Sequence, residues 1–148
     1  MKKILFICHG NICRSPMGEF ILKKLVGDDP GFEIASAAVS REEIGNSVYP
    51  PARRELARHG ISCEGKRARQ VTARDYEDYD YLICMDHSNV RNLKRIIGSD
   101  PQGKVHLMMD FTDTPGEVSD PWYTEDFAKT YDDIWRGCQG LLARLNDE

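Results

Sequence analysis

The sequence predicts an α/β protein in which a mostly parallel sheet is covered by helices on both faces. Three observations carry that expectation. Short apolar runs without alternation, such as Ile4-Leu5-Phe6-Ile7, fit strands buried on both faces. Stretches with apolar residues at helical spacing follow them in turn, and stops rich in glycine and proline separate the two kinds of segment. Alternation of strand and helix implies parallel neighbours joined by crossovers.

The elements follow in order. After the first strand, Ser15 has the chemistry of an N-cap and Pro16 suits a first helical position. Gly18 stands where a capping box would need Glu or Gln. Met17, Phe20, Ile21 and Leu25 form the apolar spacing of that helix, and the run Gly27-Asp28-Asp29-Pro30-Gly31 stops it. Residues 32–39 read as the second strand. Gly45-Asn46 opens a loop, and Pro50-Pro51 starts a helix running through Leu56 to Gly60. A third strand covers 79–85, a helix 88–97 ends at Gly98, and a short fourth strand covers 105–108. In the last helix Phe127, Tyr131, Trp135, Cys138, Leu142 and Leu145 make one stripe, read as core packing.

Composition narrows the function classes. At 148 residues, one domain over 1–148 is the economical reading. A net charge of −4 argues against nucleic-acid and membrane-surface partners, and the basic run Lys66-Arg67-Ala68-Arg69 reads as a solvated face. The apolar run after Lys2-Lys3 is shorter than a secretory core of roughly 7–15 residues. No stretch approaches the roughly 20 apolar residues of a membrane span. An odd cysteine count of 5, scattered along the chain, suggests reduced thiols and a cytoplasmic location. Neither Cys8-x4-Cys13 nor His59-x3-Cys63 has a matching second ligand pair, so no metal and no cofactor are expected.

Chemistry is expected where the first strand ends. Ligands in parallel α/β folds bind beyond the carboxyl ends of the strands, near a topological switch point. Residues 8–15, Cys-His-Gly-Asn-Ile-Cys-Arg-Ser, leave the first strand there. A strand-to-helix turn gathers backbone N–H groups and the positive end of the helix dipole into an anion site. Gly10 and Asn11 tolerate the positive φ such a nest requires. Arg14 adds a planar fork for two phosphate oxygens. The same surroundings favour a thiolate at Cys8, and Ser15 can donate a hydrogen bond to it. A thiolate beneath a cradled phosphorus is poised for in-line attack, giving a cysteinyl-phosphate. No G-x4-G-K-[ST] is present, so this is not a nucleotide P-loop.

A leaving oxygen needs a proton, and the segment Val118-Ser119-Asp120-Pro121-Trp122-Tyr123 offers one. Asp120 stands beside two flat aromatic walls, which suits protonation of an aryl oxygen. Asp110 and Asp113 are rivals without the adjacent aromatic pair.

The loop Cys8–Pro16 and the segment Asp120–Tyr123 resemble the low-molecular-weight protein tyrosine phosphatases. So do SAAVS at 36–40, EIGN at 43–46, RHGI at 58–61, ARQVT at 68–72 and CMDHSN at 84–89, in the family's order along essentially the whole chain. The resemblance implies a three-layer fold, a four-stranded parallel sheet of order 2-1-3-4, and metal-independent hydrolysis of phosphotyrosine in protein substrates. It implies Cys8 as nucleophile, Arg14 as phosphate ligand, and Asp120 as acid and then base. Phosphate binding falls to residues 9–14 (His9, Gly10, Asn11, Ile12, Cys13 and Arg14), with Asn11, Ser15 and Ser36 supporting the loop. Cys13 is implied as a redox partner of the nucleophile, and Glu42, Trp122 and Tyr123 as the substrate wall. The oligomeric state is open, with a monomer as the expectation.

Three departures stand out. Glu42 replaces an aromatic or aliphatic wall residue, which shifts aryl recognition toward Trp122. His9 stands where leucine is frequent, and the run Glu64-Gly65-Lys66-Arg67 carries an insertion. Among rivals, thioredoxin-coupled arsenate reductases need a redox cysteine pair near the third helix, and only Cys84 lies there. Protein arginine phosphatases look similar but carry threonine at the position of Ile12. A flavodoxin-like FMN binder would use the anion nest but has no need of the thiolate with its acid–aromatic partner.

Overall fold

A computed structural model describes residues 1–147. The strands are β1 (Lys2–Cys8), β2 (Phe32–Ala38), β3 (Tyr81–Cys84) and β4 (Val105–Leu107). The helices are α1 (Arg14–Val26), α2 (Pro50–Arg58), the single turn α3 (Asp75–Asp78), α4 (His87–Ile97), the single turn α5 (Pro121–Thr124) and α6 (Phe127–Asn146). All strand pairs are parallel and the sheet order is β2-β1-β3-β4, as the resemblance implied.

The unalternating run in β1 has its cause in two cores. Ile4, Phe6 and Cys8 face one cluster with Met17, Ile21 and Ile134, while Leu5 and Ile7 face another with Leu82 and Leu93. Both faces of β1 are dry from Ile4 to Cys8, so apolar residues are needed at each of those positions. Gly18 lets α1 lie close on the sheet, because a Cβ there would come within 2.7 Å of the Phe6 ring.

Several expected boundaries move. The first helix begins at Arg14 with Cys13 in the capping position, so Ser15 lies inside the helix and Pro16 is its third residue. Proline is tolerated there because first-turn N–H groups have no intrahelical acceptor. The third strand is Tyr81–Cys84, and Met108 starts a 3-10 turn in place of extending β4. On α6 the buried line includes Ile134 and Leu141, while Trp135 and Leu142 sit at its margin. Gly60 and Gly98 follow α2 and α4 with φ of 74° and 89°, the left-handed conformations expected of helix stops.

Register sets the site. Cys8 pairs with Ala38, and Ile7 with both Ala37 and Cys84, so β1, β2 and β3 end at one edge. The chain moves outward from β1 to β2 and then crosses to β3. The gap between β1 and β3 is the switch point, and the loops after Cys8 and Cys84 open onto it.

Candidate active site

Asn11 organises the loop. It has φ of 60° and is 1% exposed, and its side chain ties three neighbours together. Its Oδ1 accepts from the Arg69 amide at 3.2 Å, which turns Nδ2 toward Ser15 Oγ at 2.8 Å and Ser36 Oγ at 2.9 Å. The Ser36 hydroxyl donates in turn to Glu19 Oε1 at 2.6 Å. The Ser15 hydroxyl lies 3.0 Å from Cys8 Sγ, in reach to donate to a thiolate there, and 3.5 Å from the Ala37 carbonyl. The Asn11 amide reaches the same sulfur at 3.3 Å. Two donors thus converge on Cys8, the arrangement an anionic sulfur needs.

Gly10 behaves differently from the expectation: only Asn11 takes the left-handed conformation in this loop. Glycine serves here by its small size, because a Cβ would come within 3.3 Å of the Glu43 side chain. Ser15 is likewise not a cap. Its hydroxyl turns away from the helix end and toward the sulfur.

Among the described residues, no hydrogen bond engages the amides of His9, Gly10, Ile12 or Cys13. These donors, with the start of α1, make a nest for an oxyanion. Arg14, 2% exposed, is held from behind by Nη1, which donates to Asp86 Oδ2 and to the Val118 carbonyl, each at 2.8 Å. Nη2 approaches Asp120 Oδ2 at 3.4 Å. Burial works against the charge of Arg14, but the sulfur of Cys8 together with Asp86 and Asp120 outweighs it and holds the guanidinium firmly protonated.

Cys13 is a different thiol. Burial first, then the nearby Cys8 and Asp120, push its proton affinity well above the ordinary range, so it stays neutral. All five cysteines are free and buried.

The cavity above the loop is about 260 Å³ and brings together residues far apart in sequence. Residues 8–10 and 12–14 form its base, and Glu42, Asp120, Trp122 and Tyr123 line its sides. Asn11, Ser15 and Ser36 are buried and do not line it. His9 is half exposed and its Nε2 meets Glu42 Oε2 at 3.0 Å, so these two departures from the family pattern form a pair at the mouth. Asp120 caps α5 by accepting from the Trp122 amide at 3.0 Å, leaving its second oxygen toward Arg14. Asp110 instead accepts from the Leu107 amide at 3.1 Å and, like Asp113, lies outside the cavity. Among the described residues no three His, Cys, Asp or Glu side chains gather as a metal ion would require.

Sequence reasoning missed four contributors. Asp86 caps α4 through Oδ1 to the Asn89 amide at 2.8 Å while Oδ2 holds Arg14. Its one signal is its place just after the third strand, and it meets the loop after Cys8 only because β1 and β3 are neighbours. Glu19 anchors Ser36 from α1, and Lys66 Nζ joins it by donating to the Ser36 carbonyl at 3.0 Å. Tyr49, with its ring 5.0 Å from that of Trp122, backs the aromatic wall.

The chain is similar to known proteins along its length. Residues 3–148 match the family model described as low molecular weight phosphotyrosine protein phosphatase. YfkJ of Bacillus subtilis, a low molecular weight protein-tyrosine-phosphatase, is 36% identical over 153 residues, covering 100% of this chain and 98% of the relative. The crystal structure of YfkJ superposes with a TM-score of 0.95, covering 99% of this chain and 96% of that one. The low molecular weight phosphotyrosine protein phosphatase of Gallus gallus is 39% identical, covering 97% and 96% of the two chains. The tyrosine phosphatase SP-PTP of Streptococcus pyogenes is 41% identical, with a TM-score of 0.88 over 98% and 93%. A loop that presents its amides around a cysteine, an arginine clamped behind it and an aspartate across the cavity therefore sit in a chain that belongs to the low molecular weight protein-tyrosine phosphatases.

Proposed function

We propose that Cys8, Arg14 and Asp120 carry the phosphotyrosine hydrolysis of this family, which proceeds through a cysteinyl-phosphate. The observation that supports Cys8 most strongly is the convergence of the Asn11 amide and the Ser15 hydroxyl on its sulfur. The phosphate dianion enters the nest of residues 9–14 and takes two equatorial oxygens to the Nε and Nη2 edge of Arg14, since Nη1 is already committed to Asp86 and Val118. The dianion draws Arg14 away from Asp120, whose carboxyl holds the proton for the departing phenolic oxygen. Sulfur attacks phosphorus as the P–O bond breaks, and the proton of Asp120 goes to the tyrosine. The carboxylate then takes a proton from water as water attacks phosphorus and the P–S bond breaks. Fixed amides and Arg14 stabilise charge on the equatorial oxygens in both steps.

Ile12 and Trp122 supply apolar contact for the phenyl ring, and Ile12 offers no hydrogen-bond partner to a guanidinium. Free, buried thiols support a reducing, cytoplasmic location. Among the described residues no helix is long and apolar enough to cross a membrane. Cys8→Ser should lower turnover of p-nitrophenyl phosphate by more than about four orders of magnitude while circular dichroism stays unchanged. Substantial activity in that variant ends the thiolate mechanism.

Cys13 has a protective role in this reading. A peroxide converts the Cys8 thiolate to a sulfenic acid; the Cys13 sulfur attacks it, an S–S bond forms, and hydroxide leaves as water with the Cys13 proton. A dithiol then restores both thiols. Cys13→Ser should recover poorly from peroxide, and recovery equal to wild type removes the role.

A further inference from the structure

A second and larger cleft, about 750 Å³, opens on the other side of the loop that walls the active site. Its charged rim is formed by Arg53 and Arg54 of α2 and by Arg67 from the strand-like return after Gly65. All three side chains are exposed. Neighbouring cations are accounted for: Arg58 pairs with Glu55, Lys66 with Glu19, and Arg69 with Asp75. Among the described residues no carboxylate pairs with Arg53, Arg54 or Arg67. Glu64 is the one acidic residue lining the cleft. An excess of unpaired guanidinium groups is thus concentrated here on a chain whose net charge is −4.

The cleft and the active-site cavity share a wall. Glu43 lines the cavity and Ser47 lines the cleft, four residues apart, which limits their separation to about 14 Å. The wall is held on both sides. Tyr49 N donates to the Ile12 carbonyl at 2.8 Å, while Gly45 N donates to Ala68 O at 2.8 Å and Ala68 N to Asn46 O at 2.9 Å. Val48, next to Tyr49, faces the cleft. The cavity side of this wall is acidic, with Glu42 and Glu43, and the cleft side is basic.

We propose that this cleft docks an acidic stretch of the phosphoprotein substrate while the phosphotyrosine occupies the active site. The proposal rests on the phosphotyrosine reading above. An extended peptide rises about 3.3 Å per residue, so acidic side chains roughly four to six residues from the phosphotyrosine reach the three arginines. Guanidinium forks suit carboxylates, and their exposure makes the contact a matter of recognition and encounter, sensitive to salt. The acidic wall between the two sites disfavours carboxylates immediately beside the phosphotyrosine, so the preference depends on spacing as well as charge.

The test is steady-state kinetics on phosphotyrosine peptides carrying Asp and Glu, Gln, or Lys at four to six residues on either side. Exposed ion pairs are individually weak, and two or three together give roughly a tenfold advantage in kcat/KM for acidic over neutral peptides, seen in KM. Raising salt should shrink that ratio toward one. Arg53→Glu with Arg67→Glu should abolish it and favour the Lys peptide, while p-nitrophenyl phosphate and the neutral peptide are turned over as before. Arg53→Gln with Arg67→Gln should remove the acidic advantage without introducing a basic one, which keeps the test decisive if the reversed pair folds poorly. Equal handling of acidic and neutral peptides on both sides by the wild type overturns the docking site and leaves the phosphatase reading intact. A preference that survives charge reversal also overturns it. A wild type that hydrolyses p-nitrophenyl phosphate but no phosphotyrosine peptide removes both readings.

Discussion

The loop of residues 8–15 and the segment of residues 118–124 face each other across one cavity, yet they are held in opposite ways. In the loop Asn11, Arg14 and Ser15 are buried, 1%, 2% and 0% exposed, and Asn11 and Ser15 share a hydrogen bond. In the facing segment Trp122 is 54% exposed and Tyr123 is 82% exposed, and Asp120 is secured by its cap to α5 and a long approach to Arg14. The difference follows the chemistry. Charge that develops on phosphate oxygens is stabilised best by donors already in place, because no reorganisation is then needed. The leaving group varies with the substrate, so the element that receives it gains from being accessible and adjustable. Damage to the loop should therefore cost every substrate alike, and damage to the segment should depend on what is leaving.

Asp120→Ala tests the segment with the largest expected effect. Turnover of phosphotyrosine should fall by roughly 10²–10⁴-fold, the usual value of general acid catalysis. Esters whose leaving groups need no proton should lose far less. Equal losses across a leaving-group series would return the acid role to another carboxyl.

Asn11→Ala sharpens the other side. It removes the acceptor for the Arg69 amide and the donor to Ser15 and Ser36, and puts alanine at φ of 60°. Urea unfolding should show a loss of about 2 kcal/mol or more, from the orphaned buried groups and the left-handed backbone. Turnover of all esters should drop together. A selective loss for phosphotyrosine alone would break the division between the two regions.

Trp122→Ala should give the smallest change. With half of the ring in solvent, stability should stay within about 0.5 kcal/mol of wild type. KM for phosphotyrosine peptides should rise a few-fold with kcat kept, reflecting uniform binding of the ring. A large drop in kcat would mean that Trp122 positions Asp120 in addition to contacting the substrate.

Much of the fold was legible because local signals and global topology agree. The dry run in β1 and the glycine stops each had one physical reading. The loop was legible for the same reason: Cys8, Asn11, Arg14 and Ser15 are consecutive enough for one turn to unite them. What stayed hidden depended on register. Asp86 reaches Arg14 only because β1 and β3 are neighbours ending at one edge, and pairing order is not written in either strand. Glu19 drew no reading from the sequence, and only the packing of α1 on β2 brings it to Ser36. Ser15 was misassigned as a cap: α1 starts at Arg14 with Cys13 in the capping position, and the Ser15 hydroxyl lies against the sulfur instead. The stripe on α6 was read in part: Tyr131, Cys138 and Leu145 are buried as expected, Ile134 and Leu141 join them, and Phe127, Trp135 and Leu142 lie at the margin.

The central claim is that the Cys8 sulfur takes the phosphoryl group. Rapid acid quench of Asp120→Ala during turnover of p-nitrophenyl phosphate, followed by peptide mass spectrometry, tests it directly. Loss of the base for water should let the intermediate accumulate, and phosphate should be found on the sulfur of Cys8 and be absent after Cys8→Ser. Phosphate on any other residue, or a burst of p-nitrophenol with no phosphorylated Cys8, would contradict the account.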